Sequence, residues 1–266
     1  MKQVKALKMT LHPDGVAAPA QRAAFAAFEV VSACLTDFSE GELNKPELPN
    51  QFIHYQFKGP ELTSEQRRQM YGSWLLAKGF HDLARGVRET LEEAITYLEM
   101  VTWQPQRTTF PKFHEDIAKI RKHAGGLTFP KLLAKVNLGL TNPVMFEAAF
   151  LSIQKARNCF EHRGGIVGPQ DCDDQDTALT LSFPRLKVFY CRQGEEVEIR
   201  PNEPVDAQDG QAEVQLLGRI ELRSKRYRQG ERITLTARDF GEIAMACHYF
   251  ASDLARKLPT LPQTSA

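Results

Sequence analysis

Residues 142–165 read NPVMFEAAFLSIQKARNCFEHRGG. Val144, Phe146, Ala148, Ala149, Phe150, Leu151, Ile153, Ala156, Cys159 and Phe160 recur at three- and four-residue steps, the period of a helix with one buried stripe. Asn142 offers an N-cap, Pro143 suits the first helical position, and Gly164-Gly165 stops the run. The pattern predicts a motif helix over about 142–163. Near its end Asn158 and His162 stand four residues apart and share a face. Arg157 and Glu161 share a neighbouring face, about 100° round. One turn therefore holds an imidazole, a carboxamide, a guanidinium and a carboxylate beside a buried stripe.

These groups suit phosphodiester chemistry. Histidine is the usual general acid or base near neutral pH. Arginine supplies fixed donors in a planar fork that matches a phosphoryl group. Asparagine can orient an imidazole or a phosphate oxygen. RNA carries its own nucleophile, the 2′-hydroxyl, so its cleavage needs only deprotonation, charge stabilisation and leaving-group protonation. A structural reading stands beside this one. His162 and Arg157 suit the negative end of a helix dipole, and Arg157–Glu161 suits a surface ion pair.

Arg157-Asn158-x-x-x-His162 near a helix end resembles the signature of the HEPN superfamily, an Arg followed by a polar residue, often Asn, with a His a few residues on. The resemblance covers Arg157, Asn158 and His162. It implies a helical bundle and a metal-independent endoribonuclease with no cofactor. It also implies a homodimer that brings two motifs into one cleft, RNA as substrate, and a toxin or effector role in prokaryotic defence. An antitoxin or other regulatory protein is expected with it. Glu161 either ties up Arg157 or tunes it. The alternative is a non-catalytic RNA-binding or protein-interaction module on a HEPN-like scaffold. Arg107 and His114 satisfy the loose spacing too, but Thr108 follows that Arg and Pro111 interrupts the run, so the match is read as chance.

Outward from the motif, the chain before it reads as helix. Thr63-Ser64-Glu65 caps the longest pattern, about 64–102, whose stripe runs through Tyr71, Trp74, Leu75, Phe80, Leu83, Val87, Leu91, Ile95, Leu98 and Val101. Its polar middle holds His81, Asp82 and Arg85. These either support the motif across a cleft or form a solvated face with Asp82–Arg85 and Arg85–Glu89 pairs. An Ala-rich helix over 13–38 is expected to turn Phe25, Phe28, Val31 and Leu35 to one side. Phe52–Phe57 reads as a short strand or a strap, and 112–123 and 129–138 read as short helices.

After Gly164 the character changes. Strand-like runs cover Ala178–Phe183, Lys187–Arg192, Glu195–Arg200, Glu213–Arg219 and Arg232–Thr236. The piece 219–232 gathers positive charge around an expected turn. Arg223, Lys225, Arg226, Tyr227 and Arg228 there make either a charged edge that blocks sheet pairing or an RNA-contacting hairpin, with Tyr227 stacking on a base. The acidic run Asp171–Asp176 lacks the Gly and closing Glu of a calcium loop, and no metal site is expected there. Thr236 caps a last helix, 237–257, striped by Phe240, Ile243, Ala244, Cys247, Phe250 and Leu254.

The expected fold is α+β: a HEPN-like helical bundle over 1–164, a small antiparallel β insertion over 165–235, a closing helix over 236–258 and a tail over 259–266. The net charge of +1 across 266 residues argues against a globally basic nucleic-acid binder, so RNA contact must be local. Five scattered cysteines without metal-site spacing read as reduced thiols in a cytoplasmic protein. No signal peptide and no bilayer-length apolar run are read.

Overall fold

A computed structural model of the chain describes residues 11–44, 59–103, 108–173, 177–199 and 215–260. Among these residues the fold is α+β. Six helices run α1 (Asp14–Ser39), α2 (Ser64–Thr102), α3 (Phe110–Gly125), α4 (Phe129–Gly139), α5 (Glu147–Arg163) and α6 (Ala237–Lys257). Between α5 and α6 lie β1 (Ala178–Arg192), β2 (Glu195–Glu198) and β3 (Leu217–Arg228), an antiparallel sheet in the order β2-β1-β3. The expected strap at 52–57 and the first two residues of the strand-like run 213–219 fall outside the described residues.

Helix α2 is the axis of the molecule, with the other five helices packed against it. It starts where a capping box forms. The Gln66 amide donates to Thr63 Oγ1, and the Thr63 amide donates to the Gln66 side chain at 3.0 Å. A Cβ added at Gly79 would meet Phe240 at 2.7 Å, and one at Gly86 would meet Ala23 at 2.6 Å. These glycines let α1 and α6 lie close on α2.

That close approach also decides which side of α1 is buried. Val16, Ala17, Ala20, Ala24, Ala27 and Val31 point inward. Phe25 and Phe28, expected on the core face, are exposed. Small side chains are what a helix seated on glycines can accommodate. Pro19 lies inside α1, and the next amide, Ala20, donates to the buried Thr90 Oγ1 of α2 at 3.0 Å.

Helix α5 begins later than its sequence pattern predicts. Asn142 is not its cap and Pro143 is not in its first turn, because Phe146 takes the left-handed region at φ 58° just ahead of Glu147. The amides that would open a helix are bound elsewhere. Val144 donates to Asn137 Oδ1 at 3.0 Å, and Met145 donates to Asp253 on α6 at 3.3 Å. The end is as read: Gly164 adopts φ 59°, and the Gly165 amide turns back to the Cys159 carbonyl at 3.1 Å.

The sheet is simpler than expected. The runs 178–183 and 187–192 are one strand, with Pro184 inside it. The amide and carbonyl of Ser182 both bond Ser152 Oγ of α5, so this parity of β1 points away from β3. Pro184 shares that parity, and its missing N–H costs no ladder bond. The predicted strand from 213 is observed from Leu217 on, and it runs through most of the cationic piece to Arg228, the turn coming only at Gln229-Gly230. The stretch from Arg232 makes one bridge, to Ile166, rather than a strand.

Leu179, Leu181, Phe183, Tyr227 and Ile233 belong to the same core cluster as the helices. All six stripe residues of α6 are buried. No helix among the described residues is long and apolar enough to cross a membrane.

Candidate active site at the end of the fifth helix

The motif helix is held on one side and open on the other. Ser152 is bonded to β1, Lys155 pairs with Asp173 at 2.9 Å, and Arg163 pairs with the buried Asp171 through two nitrogens. Phe160 packs on Phe80 of α2 with ring centroids 5.4 Å apart. Residues fixed at this many points give attached side chains a defined position. Cys159 faces inward, where burial, and then the charge of Asp171, pushes its thiol up to about 11. It is therefore no nucleophile.

Arg157, Asn158, Glu161 and His162 lie on the open side. Arg157 pairs with Glu161 through Oε2, and its Nη1 also donates to Asn158 Oδ1 at 3.2 Å. His162, with 63% of its side chain exposed, sets Nε2 3.9 Å from that same Glu161 oxygen. A guanidinium and an imidazole thus converge on one anionic oxygen. Asn158 orients Arg157, and among the described residues no hydrogen bond joins it to His162.

Beside the motif a groove of about 730 Å³ runs between α2 and the end of α5. Trp74, Lys78 and His81 line one wall; Glu161, Gly164 and Arg232 line the other. Arg232 arrives because residues 230–233 pair with 165–167. The Ile233 amide donates to the Gly165 carbonyl at 2.8 Å, and Arg232 Nη1 donates to the Gly164 carbonyl at 2.5 Å.

Of the three polar residues of α2 read as support for the motif, only His81 shares this groove. Asp82 and Arg85 turn to the seam between α1 and α2, near Ala23 and Val30. Arg85 lies 3.7 Å from Asp82 and 3.5 Å from Glu89, the pairs of the solvated-face reading. Positions 74, 77 and 81 form one stripe on α2, 75, 82 and 85 form the next one round, and Lys78 lies between and lines both.

The cationic strand is a correction. Alternate residues of β3 face α6. Arg223 bonds Glu242 at 3.0 Å, and Lys225 bonds Asp239 at 2.7 Å. Tyr227 is buried, and its hydroxyl donates to the Thr234 carbonyl at 2.6 Å, so no ring face is left for a base. Burial pulls the Lys225 ammonium down, but the hydrogen bond to Asp239 and the interactions with Tyr227 and the Asp239 charge together outweigh it, and the net shift is upward. Arg226 and Arg228 lie on the outer, exposed side of the strand. At the centre of the inner layer, Arg185 meets Glu198 at 2.6 Å, Glu221 at 2.5 Å and Glu242 at 3.7 Å. Five residues read as one RNA contact are therefore split, and those facing α6 dock the sheet.

The sequence reading missed Trp74, Lys78 and Arg232 as groove residues. In sequence Trp74 reads as stripe, Lys78 carries no reading, and Arg232 reads as the end of the cationic piece 219–232 and the start of a strand. The signal for Trp74 was its phase: it falls outside the 76, 80, 83, 87, 91 series that α2 buries. Among the described residues no group of three or more His, Cys, Asp or Glu is placed to hold a metal ion. Comparison with protein-family models, with curated proteins and with solved structures returns no match.

Proposed function

We propose that the chain is a metal-independent endoribonuclease of HEPN type, its helices a HEPN-like bundle, cleaving RNA through the 2′-hydroxyl as a toxin or effector of prokaryotic defence. The observation that supports this most is the shared oxygen. Glu161 Oε2 sits where Arg157 grips it and His162 Nε2 lies 3.9 Å away, the place a non-bridging phosphate oxygen would take. In the reaction His162 removes the 2′-hydroxyl proton or protonates the 5′-oxygen that leaves. Arg157 stabilises the charged phosphorane, and Asn158 keeps the guanidinium in line. The 2′-oxygen–phosphorus bond forms, the phosphorus–5′-oxygen bond breaks, and the products carry 2′,3′-cyclic phosphate and 5′-hydroxyl ends.

One histidine contributes about 10²–10⁴-fold by acid–base chemistry. A second is needed to serve both ends of the displacement, and a two-fold homodimer would bring it, with a second arginine. A free ribonuclease harms its host, so an antitoxin or regulatory protein is part of the proposal.

The test is cleavage of mixed RNA in excess EDTA by wild type and His162→Ala. Wild-type cleavage to cyclic ends, lost in the variant, is the expected result. Equal cleavage by both, or none by either, would overturn it. A second reading, a binding module without catalysis, is favoured by the hold of Glu161 and Asn158 on Arg157, which leaves that guanidinium less free to take a phosphate. Metal-free RNA binding without cleavage would select it.

A further inference from the structure

We infer that the groove beside the motif is a nucleotide subsite, with Trp74 as the platform on which one unpaired base stacks and Lys78 and Arg232 as contacts to the flanking phosphates. The inference rests on the ribonuclease reading for its place along an RNA chain, and it names how the substrate is held.

Trp74 is 62% exposed in the middle of a long helix, and Met70, one turn earlier, is 48% exposed. Further along α2, Phe80, Leu83 and Leu91 are fully buried, and Leu75, Leu98 and Val101 are partly buried against the core. A large indole left open on the wall of a groove is a surface that wants a partner. Lys78 Nζ stands over the ring, 5.8 Å from its centroid, so a cation already lies on that face of the platform and a base stacking there displaces it toward a phosphate.

The charges point the same way. Neither Lys78 nor Arg232 has a carboxylate partner among the described residues, unlike Arg223 and Lys225 on β3. Arg232 commits one nitrogen, Nη1, to the Gly164 carbonyl and is exposed where it lines the groove. Among the described residues the one acid of the groove, Glu161, is held by Arg157. Gln69 and Ser73 add uncharged donors and acceptors for a base edge. The volume, about 730 Å³, falls among concave ligand sites. A second copy of the chain fits less well. A two-fold contact centred here would set Lys78 and Arg232 against their own copies.

The test uses the full chain and a single-stranded RNA oligonucleotide carrying 2′-O-methyl groups throughout, which cannot be cleaved. Its affinity is measured at fixed low salt, and indole fluorescence is followed in wild type and Trp74→Ala, Trp103 being present in both. Base stacking is expected to quench the component that Trp74→Ala removes. It is also expected that Trp74→Ala weakens binding by about 5- to 150-fold, the worth of one stacked base, with most of it restored by Trp74→Phe. Lys78→Gln should lower the salt slope by about one. Oligonucleotide binding that neither quenches Trp74 nor changes in Trp74→Ala overturns the subsite and leaves the ribonuclease reading standing. So does a change in oligomer mass on Trp74→Ala with RNA affinity unchanged, which would make the groove an interface between copies. Quenching by the oligonucleotide, with unmodified RNA left intact by wild type, upholds the subsite and sinks cleavage.

Discussion

Two clusters of cations in this chain look alike in sequence and meet opposite fates. On β3, Arg223 and Lys225 face Asp239 and Glu242 of α6 and are consumed in docking the sheet. At the groove, Lys78 and Arg232 have no carboxylate partner among the described residues, and Arg157 meets one carboxylate, Glu161, that is 36% exposed. The lesson is that a run of positive charge has no meaning until the acids across from it are counted. The denser run is the structural one. The sparser set, drawn from three separate segments, is the one open to an anion.

The largest effect should separate the two clusters outright. His162→Ala and Arg157→Ala are each expected to cut RNA cleavage by about 10²–10⁴-fold, with the thermal midpoint unchanged. Arg223→Gln and Lys225→Gln should do the reverse, lowering the midpoint and leaving cleavage at saturating RNA as it was. Single-turnover cleavage beside thermal melts reads both. A β3 variant that loses cleavage at full stability would break the comparison.

Next in size is the layer between sheet and helix. Arg185 is 11% exposed and joins Glu198, Glu221 and Glu242. Its guanidinium is held well above its ordinary value, first by the hydrogen bond to Glu198. Arg185→Ala leaves Glu198, Glu221 and Glu242 only their outer partners Arg238, Arg219 and Arg223, at a cost of about 1–3 kcal/mol in urea unfolding. A loss under about 1 kcal/mol would mean that water fills the layer and the ions matter little.

How far the sequence could be read follows from the same distinction. Helical spans came from periodicity, and α2 and α6 carry both the period and the capping pairs, Thr63 with Gln66 and Thr236 with Asp239. The start of α5 was illegible because Asn137 of α4 and Asp253, 108 residues from Met145, take the amides of Val144 and Met145 just ahead of it. Phe25 and Phe28 misled because hydrophobicity ranks them above alanine, whereas the glycines of α2 select for size. At the site, Arg157, Asn158 and His162 share one helix turn, so local spacing was enough to bring them together. Arg232 was invisible there, since only the pairing of 230–233 with 165–167 delivers it.

The same layer gives a pH dependence. The hydrogen bond from Arg185, then that from Arg238, holds Glu198 at about 2 against an ordinary 4.5. A carboxyl depressed on folding contributes stability that is fully present above its unfolded value and is lost as pH falls through its folded one. The docking of the sheet on α6 should therefore weaken between about pH 4.5 and 2. In Glu198→Gln this acid-limb loss should shrink, while the stability near neutral pH falls. An unchanged acid limb would place the titrating groups elsewhere.

The smallest expected effect bears most directly on the motif. Glu161 either restrains Arg157 or aligns it, and the two roles differ in sign. As a restraint, its carboxylate occupies the phosphate position and must be displaced when RNA binds. Glu161→Gln then lowers KM with kcat unchanged. The gain is about twofold, because a partly exposed pair one helical turn apart is worth little in water. The difference should fade as salt rises, since salt already screens the wild-type pair. As an aligner, Glu161 fixes the fork of Arg157 for the phosphorane, and Glu161→Gln lowers kcat with KM unmoved. The shared oxygen favours restraint, because His162 Nε2 approaches the very atom that Arg157 holds, and an aligning group would lie behind the guanidinium rather than between it and the imidazole.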